Sequence, residues 1–193
     1  MLKSRDEVPE EAIIPTRDWE HKYSLCQAFA RAQRNGEMIA MFKEDHWCFE
    51  PVVGLGLAER SEFFLEGHHR YPDSVRDLKA AAEWCRNMPH LPYDEYKGMV
   101  CAPAHSCNFM PDVITMHVNG MQTSQLLIVK TWIDGKDVRS QLSGHAVCVY
   151  ATMPAFLKRE CTVAIPCKGD HLDLPPHPLI DAFNPGQHGC GIA

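Results

Sequence analysis

Apolar positions recur at helical spacing in three stretches of this chain. Over residues 18–35, Tyr23, Cys26, Phe29 and Ala30 share one face, and Gly36 follows as a C-cap. Over residues 73–87, Val75, Leu78, Ala82 and Cys85 form the apolar side. Pro72 precedes that stretch, Ser74 is placed to cap it, and Pro89 and Pro92 end it. Residues 120–132 read as an amphipathic helix. Short apolar runs predict strands at 37–42, 97–102, 113–118 and 162–165. Residues 44–50 read as a polar turn, and 140–144 as another. Residues 52–58, with Gly54 and Gly56, fit a tight helix or a turn, and 145–157 is ambiguous because Pro154 interrupts it. Alternating helices and strands predict a mixed sheet with packed helices, an α/β fold, with α+β as the alternative.

Length and composition set the outer bounds. The chain of 193 residues is expected to form a single globular domain over 1–170, after which a Pro-, His- and Gly-rich stretch, 171–193, reads as an irregular tail. A formal charge of −6 and the absence of any Lys/Arg stripe argue against nucleic acid as a partner. The longest apolar runs are far too short to span a bilayer, and the opening Met-Leu-Lys-Ser-Arg-Asp-Glu has no apolar core of a signal peptide. The expectation is a cytoplasmic protein with reduced thiols.

That expectation gives the nine cysteines their weight, because disulfides do not persist in a reducing compartment and an odd number cannot all pair. Cys85, Cys101 and Cys161 lie in apolar contexts and read as small buried hydrophobes. Cys26 precedes Gln27 and, about one helical turn on, Arg31, a cation that would favour a thiolate. Cys48 closes the run Glu44-Asp45-His46-Trp47-Cys48 at the end of a predicted strand. Cys148 follows Ser143-Gly144-His145, and Cys167 sits in Pro166-Cys167-Lys168-Gly169-Asp170, a turn whose backbone N–H groups could face a ligand. No CxxC pair occurs, so a zinc ribbon or ferredoxin framework is not indicated. HExxH, GxSxG, Walker A and GxGxxG motifs are also missing. His68-His69 is a poor chelate on a strand because adjacent side chains diverge.

The same segments resemble a prokaryotic family, domain of unknown function 169. The resemblance rests on Leu25-Cys26-Gln27-Ala28 with Arg31, on Asp45-His46-Trp47-Cys48, and on the glycine-bearing segment 54–57. It continues through Met88-Pro89, Pro111-Asp112-Val113, Ser143-Gly144 with Cys148, and Pro166-Cys167-Lys168-Gly169-Asp170, covering residues 5–171 in order. Two departures stand out: His145 and His171 occupy positions where the family pattern has arginine. The family implies no reaction, but it singles out Cys26, Cys48, Cys148 and Cys167 and passes over Cys85, Cys101 and Cys161.

Four thiolates suit zinc or an iron–sulfur cluster. Ligands supplied one at a time from a helix, a turn and strand ends surround a larger object more naturally than a zinc ion does. The expectation is therefore a 4Fe–4S cluster on Cys26, Cys48, Cys148 and Cys167, with zinc or no metal as alternatives. Four cysteine ligands would suit electron transfer with a protein partner. Three would leave an open iron for lyase, hydratase or desulfurase chemistry on a small-molecule substrate. His46, Asp45, Gln27, His145 and Arg31 would then supply the surrounding acid–base and hydrogen-bonding groups, beside Ser143 and Asp170 of the two turns. Three metal-free readings compete: Cys48 as a nucleophile beside His46, a redox or small-molecule binding module without turnover, and a set of inert buried thiols. The residues leave oligomeric state open.

Overall fold

The computed structural model describes residues 1–72, 75–138 and 146–164. Its first substantial helix begins where a serine can cap it. Ser24 Oγ accepts from the Gln27 N–H at 3.1 Å and the Gln27 side chain accepts from the Ser24 N–H at 2.8 Å, a reciprocal capping box. This helix, α2 (Leu25–Asn35), ends at Gly36, whose φ of 71° suits a residue without Cβ. The single helix expected over 18–35 is thus split. A short α1 (Pro15–Asp18) stops at Trp19, Glu20 takes a left-handed conformation, and Tyr23 is extended. Tyr23 gives its N–H to Asp45 O and accepts from the Trp47 N–H, a long-range pairing that helical periodicity cannot register.

Strand β1 (Ile39–Phe42) is buried along its whole length and pairs antiparallel with β2 (Gly98–Cys101), Ile39 opposite Cys101 and Phe42 opposite Gly98. Isolated bridges extend the pairing, Leu2 with Gly98 and, in parallel sense, Ile13 with Ile39. Between the strands lie α3 (Phe49–Gly54), α4 (Glu62–Leu65) and α5 (Leu78–Asn87). The last of these starts five residues later than the pattern suggests, because the Asp77 carboxylate caps it by accepting from the Ala80 N–H at 2.8 Å. Ser74, the expected cap, lies outside the described residues. After β2 come α6 (Gly120–Asp134) and α7 (Val147–Lys158). The ambiguous 145–157 stretch, whose first residue lies outside the described residues, is helical from Val147, with Pro154 inside it, and the 44–50 turn is a 3₁₀ turn running into α3.

Two expected strands fail. Residues 113–118 are mostly exposed chain with no ladder, and 162–164 are likewise outside any strand. Alternating apolar residues satisfy the period of a strand without supplying an edge to pair with. Among the described residues the result is seven helices and one two-stranded antiparallel sheet, a mixed α/β or α+β fold. No helix among them is long and apolar enough to cross a membrane.

One core joins the elements. Leu25 and Ala28 of α2, Ile39 and Met41 of β1, Val52 and Val53 of α3, Phe64 of α4, Cys85 of α5 and Val149 and Met153 of α7 are all buried in it. One close joint is between α3 and α7. A Cβ on Gly54 would stand 2.8 Å from Val149 Cγ1 and 2.9 Å from Cγ2. Val149 is β-branched and has little rotamer freedom in a helix with which to yield. Gly54→Ala is expected to destabilise the protein by about 1–3 kcal/mol in chemical denaturation. Val149→Ala should cost less in the Gly54→Ala background than in the parent, and equal costs in both would refute the contact.

Candidate functional site

Three of the four singled-out cysteines occupy helix starts. Cys26 is the second residue of α2, Cys48 is the N-cap of α3 and Cys148 is the second residue of α7. Helix α7 packs against both α2 and α3. The start of α2 is also stitched to the Cys48 turn. Tyr23 N–H to Asp45 O is 2.8 Å, Trp47 N–H to Tyr23 O is 3.1 Å, and Trp47 Nε1–H to Gln27 Oε1 is 2.9 Å. Cys148 is buried, and Cys26 and Cys48 are half-buried. Cys167, His145, Ser143 and Asp170 lie outside the described residues. Among the described residues no three His, Cys, Asp or Glu side chains gather as a ready-made metal-ligand set.

The neighbours expected to serve chemistry mostly hold this architecture together. Asp45 is fully buried, and its carboxylate accepts from the Phe42 N–H at 2.8 Å, the Thr16 N–H at 3.1 Å and the Thr16 hydroxyl at 2.5 Å. Gln27 Oε1 is shared between the α2 cap and Trp47. The Arg31 guanidinium, expected to act on Cys26, clasps Glu37 at 2.7 and 3.0 Å, donates to Tyr23 Oη at 2.7 Å and lies 4.2 Å over the Trp19 ring. That grip raises its pKa further and lowers that of Glu37.

His46 is different. It is 5% exposed, and neither ring nitrogen has a hydrogen-bond partner among the described residues. Burial lowers its pKa to about 4, against a smaller opposing effect of Asp45, so the ring is neutral at pH 7. With both nitrogens unpartnered, the Cys48–His46 dyad of the metal-free reading is not hydrogen-bonded.

Cys48 instead faces a buried charge cluster that the sequence did not disclose. Its thiol donates to Glu50 Oε2 at 3.1 Å. Glu50 Oε1 lies 2.6 Å from Arg70 Nη2 and 3.5 Å from His69 Nε2. Arg70 stacks 4.9 Å over Trp84, His69 stacks on Phe64 with centroids 4.6 Å apart, and His69 Nδ1 is 3.9 Å from Cys85 Sγ. Burial alone would push the Glu50 carboxyl up. The His69 ring, the Arg70 guanidinium and the Cys48 thiol outweigh it and hold the pKa at about 2. The only hint in the sequence is the i, i+2 spacing of Cys48 and Glu50, since the partners lie about twenty residues further on and His69 reads as one half of a poor chelate.

The remaining thiols divide further. Burial pushes the Cys85 thiol up to about 11 and the Cys101 thiol up to about 12, consistent with inert core groups. Cys161, expected to be buried, is exposed. One turn along α7 from Cys148 and one residue before Cys26, a cavity of about 680 Å³ opens between α2, β2 and α7. Leu25, Phe29, Met99, Thr152, Met153 and Phe156 line its inner side.

The neutral, buried His46 makes stability depend on pH. Its folded pKa of about 4 lies below the ordinary value of 6.5, so between these pH values the unfolded chain binds the proton and the folded chain does not. Stability should therefore fall as pH drops from 6.5 toward 4, by about 3 kcal/mol at about 1.4 kcal/mol per pKa unit. Denaturant midpoints across that range should decline less steeply in His46→Phe than in the parent. Parallel profiles would show that the ring is already charged or hydrated in the folded state. The Glu50 contribution is lost only below 4.5, as pH falls toward about 2, so the two windows overlap only at their edge and the fall between 6.5 and 4.5 belongs to His46 rather than Glu50.

No curated protein and no solved structure matches the chain. The family model does. It spans residues 1–178, from before α1 to beyond α7, and takes in Cys26, Cys48, Cys148 and Cys167. The chain belongs to the DUF169 family, described as uncharacterised ArCR.

Proposed function

We propose that this protein binds an iron–sulfur cluster of the 4Fe–4S type through Cys26, Cys48, Cys148 and Cys167. The observation that carries the reading is that Cys26, Cys48 and Cys148 stand at the starts of three helices joined through α7 in one core. Backbone N–H groups of a first turn have no partner within the helix and favour nearby negative charge, which suits thiolates and the sulfides of a cluster. The hydrogen bonds between the α2 start and the Cys48 turn fix two of these positions relative to one another.

Electrostatics separates this reading from a metal-free Cys48 nucleophile. Cys48 donates to a carboxylate that stays ionised far below neutral pH. An adjacent anion disfavours a free thiolate. A carboxyl group with a pKa of about 2 is also a weak base for taking the thiol proton. A metal centre supplies the positive charge that displaces the proton, so metal ligation is compatible with the Glu50 contact where unaided nucleophilic catalysis is not. The Arg70–His69–Glu50 cluster beside Cys48 then tunes the ligand from its outer side.

Anaerobic purification is expected to give a brown protein with broad absorbance near about 400 nm and about four irons and four sulfides per chain. Serine at position 26, 48, 148 or 167 should each remove most of the iron, whereas Cys85→Ser and Cys161→Ser should retain it. A colourless protein carrying about one zinc, or equal iron in both groups of variants, would overturn the assignment.

The cavity favours a second role alongside the first, the binding of an uncharged, largely apolar small molecule next to the cysteine site. Its volume of about 680 Å³ lies within the roughly 300–1,000 Å³ of small-molecule pockets. An environment-sensitive apolar dye should bind with a fluorescence increase that Met153→Trp, which fills the cavity, reduces several-fold. Unchanged dye binding in a folded variant would place the dye elsewhere.

A further inference from the structure

Helix α6 is well formed, yet none of its fifteen residues is buried among the described residues. Asn119 caps it by accepting from the Gln122 N–H at 2.9 Å, Gln122 returns the bond at 2.9 Å, and Gly135 closes it at φ 63°. Met121, Leu126, Ile128, Val129, Trp132 and Ile133 fall on one broad side of the helix at 100° per residue, broken by Gln122 and Gln125, while Thr123, Ser124, Lys130, Thr131 and Asp134 gather on the other with Leu127 among them. Trp132 is 84% exposed, Met121 73% and Ile128 68%. The preceding chain adds Met110 at 91% and Ile114 at 71%. A helix with so broad an apolar side ordinarily buries that side against another surface rather than leaving it in water.

We infer that α6 and the chain leading into it form the interface of a homodimer, covered by the same surface of a second copy. The area supports this occupant. At roughly 100 Å² for each large apolar side chain, residues 109–133 offer on the order of 1,000 Å². That exceeds the roughly 300–600 Å² patch tolerated on a monomer and meets the about 800 Å² per partner of a standard stable interface. Charge selects the same occupant. The only ionised side chains on α6 are Lys130 and Asp134, which pair with each other at 2.5 Å. Two copies of a chain with a formal charge of −6 repel elsewhere, but α6 presents no net charge to its own image. A two-fold pairing needs this kind of self-complementary surface, whereas a strongly charged partner would find no counter-charge on it.

Sedimentation equilibrium of the full chain in reductant should give twice the 21.8 kDa chain mass at micromolar concentration. Ile128→Glu combined with Trp132→Glu should give the single-chain mass with unchanged far-ultraviolet dichroism. Hydrogen exchange on the unaltered chain guards against a misfolded variant: amides of 120–134 should exchange several-fold faster once dilution separates the copies. A parent that stays monomeric overturns the proposal, and concentration-independent protection of α6 would then assign its cover to the same chain. A double variant that stays dimeric overturns the assignment to α6. None of these outcomes depends on whether the cysteines hold a cluster.

Discussion

A single buried carboxylate sets the geometry of the turn that carries Cys48 and of its pairing with the chain entering α2. Asp45 accepts three hydrogen bonds, two from Thr16 of α1 and one from the backbone of Phe42 at the end of β1. It thereby converts the exit of a buried strand into a tight 3₁₀ turn. The carbonyl of the same residue receives the Tyr23 N–H, which brings the chain entering α2 alongside. His46, Trp47 and Cys48 follow immediately. The direction in which Cys48 leaves the strand, and its distance from the start of α2, are both consequences of where the Asp45 oxygens find their donors. A buried carboxylate is costly without such partners, so the turn and its charge stabilise each other.

The second buried carboxylate plays another part. Glu50 lies on α3 among groups that come from a different stretch of chain, Arg70 and His69, and Arg70 is itself braced on Trp84 of α5. An ion pair this deep contributes little net stability compared with an apolar replacement, because both charges lose water. Its effect is local. It holds a negative charge against Cys48, whose thiol donates to Glu50 at 3.1 Å. The two carboxylates thus divide the work: one fixes where Cys48 stands, the other engages its thiol.

The family-bearing segments of the sequence include these functional positions, but their roles are legible only in part. Helices α2, α5 and α6 and both strands could be read from period and turn residues, since those signals are local. The break between Trp19 and Ser24 could not, because it depends on Tyr23 pairing with residues some twenty positions away. The false strand at 113–118 has the right alternation and lacks an edge to join. Asp45, Gln27 and Arg31 were recognisable as important residues. What could not be read was their engagement with Thr16, Trp47 and Glu37, which come from other segments of the chain. The Glu50–His69–Arg70 cluster was invisible for the complementary reason: each residue looks ordinary until the fold brings the segments together.

The proposed placement of ligands on three separate helix starts would have a consequence for folding. A knuckle with paired cysteines can bind metal as a local unit, but Cys26, Cys48 and Cys148 sit on helices that meet only once α7 has docked on α2 and α3. That docking rests on Gly54 meeting Val149 and on the core shared by Leu25, Val53 and Met153. The free energy of binding a centre at such a site would therefore be linked to the free energy of packing α7, and each would stabilise the other. The same linkage would let Cys148 be buried and still serve as a ligand, since its position is set by the core it shares with Val149 and Met153 and its backbone carbonyl is engaged by the Thr152 hydroxyl at 2.7 Å.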